Sequence, residues 1–418
     1  MTMSRTLDVF LHRQRVGTLV QNNQGDILFE YDEHYLSNPA ALPLSQSLPL
    51  AKKRFNRREC RPFFAGVLPE ESKREIIARN LGVSARNDFA MLEQIGGECA
   101  GAVTFLPKGT PLPDREDSYR QLSEAELSAI LRSLPKRPLM AGEAGIRLSL
   151  AGTQDKIAVR LENKVISLPL NGSPSTHILK PQIERFEGVV FNEELCMKLS
   201  AAVGIPTAGV RTGRAEGIHY ILVERYDRAQ VAPPSGGQPQ LQREHQEDFC
   251  QALGIVSEHK YQNEGGPSLK QCFELVRNTS SVPLVDLQSL LDAAFFNWLI
   301  GNHDAHGKNF SLIYRADGQT RLAPLYDLVS TAAYPELTGK MAMKMGGEYD
   351  PEKVGPRQIE KLANEAALSA PMVRNRVAEL ADAVIAALPA ATPDEPFAAG
   401  LAGQIRNRCR QIIQRFRK

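Results

Sequence analysis

Asp304, Asn309 and Asp327 fall in the single stretch GNHDAHGKNFSLIYRADGQTRLAPLYDLVS, residues 301–330. Two carboxylates and one amide oxygen make a hard, oxygen-only set, suited to a magnesium ion that also bridges phosphate oxygens. The spacing Asp304-x4-Asn309 followed by a later Asp is the layout of phosphoryl-transferring enzymes in which the first Asp orients the attacking hydroxyl and the other two hold metal. Either Asp alone reads as a turn or helix cap; three polar residues brought to one spot read as a site. A hairpin turning at Asp317-Gly318 would bring them there, because its register sets Asn309 opposite Asp327 within one step, beside Asp304.

Two rival motifs overlap this stretch. Gly301-Asn302-His303-Asp304 is similar to the G-N-H-[DE] box of metallophosphoesterases, with His303 and His306 as ligands. That centre needs more histidines downstream, and all eight lie at or before His306. Residues 301–308 also imitate a phosphate-binding P-loop, but the glycine spacing is wrong and Asn309 stands where Ser or Thr is required. Both are set aside. His306 stays open between a hydrogen-bonding loop residue and a direct contact to nucleotide or metal; with Lys308 it is counted among the nucleotide-binding candidates.

Phosphoryl transfer also needs groups that hold the nucleotide. GIRLSLAGTQDK, residues 145–156, lies between strand-like segments, and the small residues Ala151, Gly152 and Thr153 let backbone N–H groups approach an anion; an unliganded hairpin is the plainer reading. Lys180 closes the strand-like Thr176–Leu179 and either snorkels to solvent or points into a cleft, where Glu193 or Glu194 on the next helix would pair with it. The segment Glu224-Arg225-Tyr226, after the strand-like His219–Val223, is placed to be a hinge against which adenine lies.

These residues must be positioned by elements that the patterning indicates. Leu7–Leu11, Arg15–Val20 and Asp26–Tyr31 read as strands and Pro69–Leu81 as a helix. A capping box at Ser123–Glu126 opens a helix to Leu134. Strands near Ile146–Leu150, Lys156–Leu161, Val165–Leu168 and Thr176–Leu179 precede a helix over Val190–Val203. Beyond Gln246 the pattern is helical (Gln246–Leu253, Leu269–Val276, Pro283–Ile300, Met372–Leu388, Phe397–Phe416), with the hairpin as the exception. Pro- and Gly-rich punctuation at 107–118, 229–246 and 389–395 suggests an amino-terminal α+β subdomain (1–107), a strand-rich nucleotide-holding lobe (108–228) and a helical catalytic lobe (229–418).

Composition narrows the classes. The chain has 418 residues, 50 Lys plus Arg against 48 Asp plus Glu, and 23% charged residues, an ordinary globular surface. No apolar stretch approaches the roughly 20 residues that span a bilayer, and the first twenty residues hold no unbroken apolar run for a secretory signal. The expectation is a cytoplasmic protein without a membrane partner. The six cysteines are far apart with no C-x-x-C pair, so free thiols are expected.

Taken in order, RLSLAGTQDK (147–156), HILKP (177–181), VERYDR (223–228), QEDFCQALG (246–254), GNHDAHGKNFS (301–311) and LAPLYDLVS (322–330) resemble the HipA family of serine/threonine kinase toxins. FFAGVLPEE (63–71) and GGECAGAVTF (96–105) resemble its amino-terminal subdomain, so the likeness covers nearly the whole chain. It implies an α+β, kinase-like two-lobed fold: an α/β amino-terminal part with an extra small subdomain, and an all-helical carboxy-terminal part. ATP and Mg2+ would bind between them, and a protein serine would be phosphorylated, glutamyl-tRNA synthetase being the family's known target, with growth arrest and persistence as the outcome. By the same resemblance Asp304 is catalytic, Asn309 and Asp327 hold magnesium, and Lys180 binds ATP. Glu224, Arg225 and Tyr226 form the adenine hinge, with Tyr where Phe is familiar. Leu150 and Ala151, Gly152, Thr153, Gln154, Asp155 and Lys156 form the phosphate loop, and Ser149 is the autophosphorylated serine, whose modification would inactivate the kinase. The implied partners are a HipB-like helix-turn-helix antitoxin and, through it, operator DNA at the nucleoid. Two basic clusters are candidates for phosphate contact or plain solvated faces: Lys52, Lys53, Arg54, Arg57, Arg58 and Arg61; and Arg406, Arg408, Arg410, Arg415, Arg417 and Lys418. The alternative is a catalytically idle scaffold that only binds antitoxin and DNA.

Overall fold

Alternating apolar residues at the amino terminus form strands whose buried faces share one core. In the computed structural model, which describes residues 5–112, 118–231 and 240–416, β1 (Arg5–Leu11), β2 (Gln14–Gln21), β3 (Ile27–Tyr31), β4 (Arg54–Phe55) and β5 (Val103–Pro107) make an antiparallel sheet of order β4-β3-β2-β1-β5. Around it lie α1 (Glu33–Leu36), α2 (Arg57–Gly66), α3 (Glu71–Leu81) and α4 (Asp88–Ile95). Asn56 caps α2 through a reciprocal bond pair with Glu59, a capping box.

The second sheet has six strands: β6 (Ser118–Gln121), β7 (Ile157–Glu162), β8 (Val165–Leu170), β9 (His177–Pro181), β10 (Val210–Ala215) and β11 (Ile218–Glu224), in the order β10-β11-β9-β7-β8-β6. It is flanked by α5 (Glu124–Ser133), capped by Ser123 as expected, and α6 (Val189–Ala202). No strand forms over residues 146–150. Leu148 makes only a single parallel bridge to Glu98, made of the bonds Glu98 N to Arg147 O at 2.7 Å and Ser149 N to Glu98 O at 2.9 Å.

The carboxy-terminal part is helical apart from small sheets. β12 (Arg228–Val231) pairs with β13 (Gln240–Arg243), so part of the expected linker is a ribbon; residues 232–239 of that linker, like 113–117 of the first, lie outside the described residues. β14 (His245–Asp248) then runs beside β15 (Ser311–Tyr314), and β16 (Thr320–Leu322) closes the sheet. The expected helix over Gln246–Leu253 thus forms only in its second half: Gln246–Asp248 belong to the strand, in which His245 and Glu247 are fully buried, and α7 (Phe249–Ala252) starts only after Asp248 caps it. The remaining helices are α8 (Leu269–Thr279), α9 (Pro283–Ile300), α10 (Pro356–Glu365), α11 (Ala370–Ala391) and α12 (Pro396–Phe416). Pro389 sits inside the last turns of α11 rather than in a linker.

Two hydrophobic clusters organise the molecule. One runs without a break from the amino-terminal sheet into β7, β9 and β11 (Phe29, Phe105, Leu150, Val159, Leu179, Leu222). The other packs α8, α9, α11 and α12 around Phe295, Phe296 and Trp298, and takes α6 with it through Leu195 and Leu199. α6 is therefore anchored in the helical core while its other face packs on β10 and β11 and reaches β9 through Glu193.

Candidate active site

The hairpin leaves β15 early. Its returning strand ends at Leu322 rather than at Asp327, since Pro324 has no N–H to continue a ladder. The chain instead crosses to the segment between α6 and β10, where Leu325 N bonds Pro206 O (2.8 Å) and Ala208 N bonds Leu325 O (2.9 Å). This crossing carries Asp327, in a left-handed backbone conformation (φ 58), to the end of β9.

There Lys180 Nζ donates to Asp327 Oδ1 and to Glu193 Oε1, both at 2.7 Å. Of the two candidate glutamates Glu193 is the partner; adjacent helix residues point about 100° apart, from the 3.6-residue turn, and Glu194 turns to Lys198 and Thr212. Asn309 Nδ2 donates to Asp327 Oδ2 at 3.1 Å, so the meeting read from the hairpin occurs. Burial works against the Lys180 charge, but Asp327 and Glu193 outweigh it and hold the ammonium above the usual lysine value. Lys180, above all, holds the Asp327 carboxyl well below its ordinary range. Glu193 is pushed up by burial, with Lys180 acting the other way.

Asp304 is delivered by the end of α9. Gly301 terminates the helix in the left-handed region (φ 73), Asn302 N returns to Asn297 O at 2.8 Å, and Asp304 N bonds Asn302 Oδ1 at 3.2 Å. Solvent reaches the Asp304 side chain, while Tyr261 donates its hydroxyl to Oδ1 at 2.8 Å. The surrounding protein pushes its pKa up to about 6, against the Tyr261 hydroxyl and Lys260. His306 is buried edge-on to Tyr261 (centroids 5.3 Å apart), and burial, then Lys260, push its imidazole down to about 3, so it is neutral at physiological pH. Its backbone N–H bonds Asn309 Oδ1 at 3.0 Å, which orients the amide.

The segment 150–156 folds onto its own lysine. Lys156 Nζ donates to Ala151 O at 2.6 Å, and Gly152 (φ 104) leaves it room: a Cβ there would lie 2.6 Å from Nζ. Burial, then repulsion from Lys180, push Lys156 down to about 8. Thr153 is exposed and Gln154 partly so, while Asp155 is tied to Lys73 of α3 at 2.6 Å. Ser149 is fully buried rather than carrying the solvated hydroxyl of a plain strand serine; Oγ donates to Val67 O at 2.8 Å.

Two expected nucleotide contacts face elsewhere. Lys308 Nζ is buried on Asp248 Oδ2 (2.5 Å) and Gly66 O (3.2 Å), because the one-turn helix at 307–309 points it away from Asn309. Arg225 turns inward to Glu98 (2.9 Å), Asp227 (2.8 Å) and Cys99 O (2.8 Å), bolting the hinge to the amino-terminal sheet. Glu224 is exposed, its N–H on Gly209 O at 2.7 Å; Tyr226 stacks on Tyr326, 5.5 Å between centroids. Tyr261, Tyr326 and Glu98 were not singled out from sequence. No motif marks them, since each acts across the fold.

Most of the first basic cluster is ion-paired at the surface, and two residues of the second are engaged by the fold. Lys52 pairs with Glu59 (2.5 Å), Lys53 with Glu33 (2.6 Å), Arg54 with Glu30 (3.0 Å), Arg57 with Asp26 (3.1 Å) and Arg61 with Asp88 (2.8 Å), an ion-paired face. At the other end Arg408 packs beside Gly301 and Arg415 pairs with Glu352; Arg410 is exposed, and Arg417 and Lys418 lie outside the described residues.

Among the described residues no three His, Cys, Asp or Glu side chains gather closely enough to hold a metal by themselves. Asp327 presents a hard carboxylate, whereas the Asn309 amide turns its NH2 to Asp327 and its oxygen to the His306 N–H, leaving one lone pair of that oxygen for a cation; phosphate oxygens and water would supply the rest, the usual share for magnesium. The cations Lys180 and Lys156 stand beside them.

Comparison with known proteins bears on this site. The HipA N-terminal domain family matches residues 7–106 and the HipA-like C-terminal domain family residues 148–390. A protein of Sinorhizobium fredii (strain NGR234) named "Putative kinase Y4mE" is 47% identical over 92% of this chain and 91% of its own. The serine/threonine-protein kinase toxin HipA of Shewanella oneidensis MR-1 is 29% identical over 98% of this chain and 96% of its own. The structure of Shewanella HipA with HipB and operator DNA superposes with a TM-score of 0.85 at 27% identity, covering 98% of both chains.

Proposed function

The chain belongs to the HipA family, whose named relatives are kinases, and from that premise we propose that it is an ATP- and Mg2+-dependent serine/threonine protein kinase, the toxin of a toxin–antitoxin pair. The observation that carries this reading is the convergence of Lys180, Glu193, Asn309 and Asp327 from four separate elements. Asp304 stands at the mouth of the same loop, and its Oδ2 is left by Tyr261 to take a proton. At neutral pH Asp304, with a pKa of about 6, is mostly carboxylate.

Asp304 would accept the proton of a serine hydroxyl as the serine oxygen bonds to the γ-phosphorus and the bond to ADP breaks. Lys180, kept charged by its two carboxylates, would neutralise the nucleotide's phosphates, with Lys156 and the backbone of residues 151–154 beside it. Asp327 and Asn309 would hold Mg2+, which when bound offsets phosphate charge. Glu224 and Tyr226 would border adenine.

The acceptor we propose is an aminoacyl-tRNA synthetase, glutamyl-tRNA synthetase by family resemblance, with growth arrest and persistence as the result. Ser149 would be the autophosphorylated residue. A phosphate carrying about −1.5 to −2 charges cannot stay where its hydroxyl now meets Val67 O, so the loop would leave and ATP binding would fall. A HipB-like antitoxin and operator DNA are the proposed partners, supported by the Shewanella complex. No helix among the described residues is long and apolar enough to cross a membrane, in keeping with the proposed cytoplasmic, operator-associated location. Incubation with γ-labelled ATP and Mg2+ tests the reading, with Asp304→Ala as control. Label on Ser149 or on a cytosolic protein is expected; absence of both leaves the idle scaffold.

A further inference from the structure

Five contacts from the neighbourhood of the site end on one short segment of the amino-terminal subdomain, the turn that joins the end of α2 to the start of α3. Gly66 O accepts from Lys308 Nζ (3.2 Å), and Val67 O accepts from Ser149 Oγ (2.8 Å). Glu70 lies between two buried ammonium groups, Lys260 at 2.9 Å and Lys308 at 3.7 Å. Glu71, in a left-handed conformation (φ 48), adds a second carboxylate to Lys260 at 3.1 Å.

Both lysines adjoin residues of the site. Lys308 immediately precedes Asn309, and Lys260 immediately precedes Tyr261, whose hydroxyl holds Asp304 at 2.8 Å. We infer that the turn Gly66–Glu71 positions the catalytic loop from outside it, with Glu70 as the positioning residue and Lys260–Tyr261 as the link to Asp304. Glu70 touches no reacting atom. It is buried and holds its proton more weakly than usual; burial opposes its charge, and Lys308 and Lys260 overcome that opposition. With Glu70 neutralised, Lys308 keeps Asp248 but Lys260 keeps only Glu71, whose side chain is mostly in solvent, and the Tyr261 end of the link loosens. Because Ser149 rests on the same turn, the phosphate loop and the catalytic loop share one support.

The kinetic consequence rests on the proposed function; the mechanical one does not. Two measurements therefore separate them. Amide hydrogen exchange is compared between wild type and Glu70→Gln: faster exchange is expected over residues 257–264 and 302–310, with β9 and α6 unchanged. Unchanged exchange in those two segments overturns the inference, whatever the enzyme does. In phosphorylation assays Glu70→Gln should lower kcat about tenfold with the KM for ATP within about twofold, a loss of orientation rather than of nucleotide binding. Equal kcat, or a fall confined to ATP affinity, overturns it. Should Glu70→Gln fail to fold, Tyr261→Phe, which removes one hydroxyl and keeps the ring on His306, should show the same kcat loss with unchanged thermal unfolding; full activity there overturns the link. A wild-type protein that transfers no phosphoryl group sinks the kinase reading alone, and the exchange comparison still decides the coupling.

Discussion

Asp304 and Lys180 illustrate opposite relations between function and stability. Asp304 holds its proton up to about pH 6 in the folded chain, so the folded state binds that proton more tightly than the unfolded one. Its effect on stability is therefore favourable in acid and is lost as pH rises through about 6. Under the proposed function activity would run the other way, because Asp304 as base must be ionised: kcat/KM should fall on the acid side with a midpoint near 6. Asp304→Asn should lower phosphoryl transfer about 10²–10⁴-fold and raise the melting temperature above that of wild type near pH 8, which calorimetry checks. Lys180 has the reverse character. Lys180→Met strands the buried Glu193 carboxylate beside Asp327; since the Asp327 side chain is 45% exposed, the loss should fall at the low end for a broken buried pair, about 3 kcal/mol, read by urea unfolding.

At the scale of elements, the hinge between β11 and β12 is tied to the amino-terminal sheet by buried charge. Arg225 and Arg228 both bond Glu98, at 2.9 and 2.7 Å, and all three side chains are almost wholly buried. Burial pushes the Glu98 carboxyl up, but Arg225 and Arg228 outweigh it and hold it well below the usual range. Its contribution is thus present above the ordinary carboxylate pKa and is lost as pH falls through the folded value in strong acid. Glu98→Gln leaves two buried guanidinium groups short of a partner and should cost about 3–5 kcal/mol, seen as a lower denaturant midpoint. Legibility varied among the elements for a physical reason. α9 follows its sequence signals to the residue, with Pro283 at its start and Gly301 in the left-handed position after Ile300. β14 did not, because four residues of alternation, 245–248, run into a capped helical turn and give a window too short to separate the two periods.

For the whole molecule, the continuous apolar cluster from β1 to β11 means that the first 107 residues cover the face of the second sheet. A chain of residues 108–418 alone should expose that face, bind a hydrophobic dye and aggregate on gel filtration; a soluble folded monomer would instead support a separable domain ending at 107. The chemistry, by contrast, was largely local in the sequence. Residue types and short spacings determined Asp304 and Asn309 on one loop, the hairpin that starts the chain back toward them, and a lysine near the end of a strand, because turn-forming preferences act over few residues; the last step, which sets Asp327 beside Lys180, is the tertiary crossing at Leu325. Tertiary structure alone decided which glutamate meets Lys180, that Lys308 and Arg225 are bonded to buried carboxylates of the frame, and that Tyr261 holds Asp304. Those outcomes depend on which buried charges face each other across the fold, and a buried charge takes whichever partner lies within a few ångströms, at separations in sequence that no local pattern records.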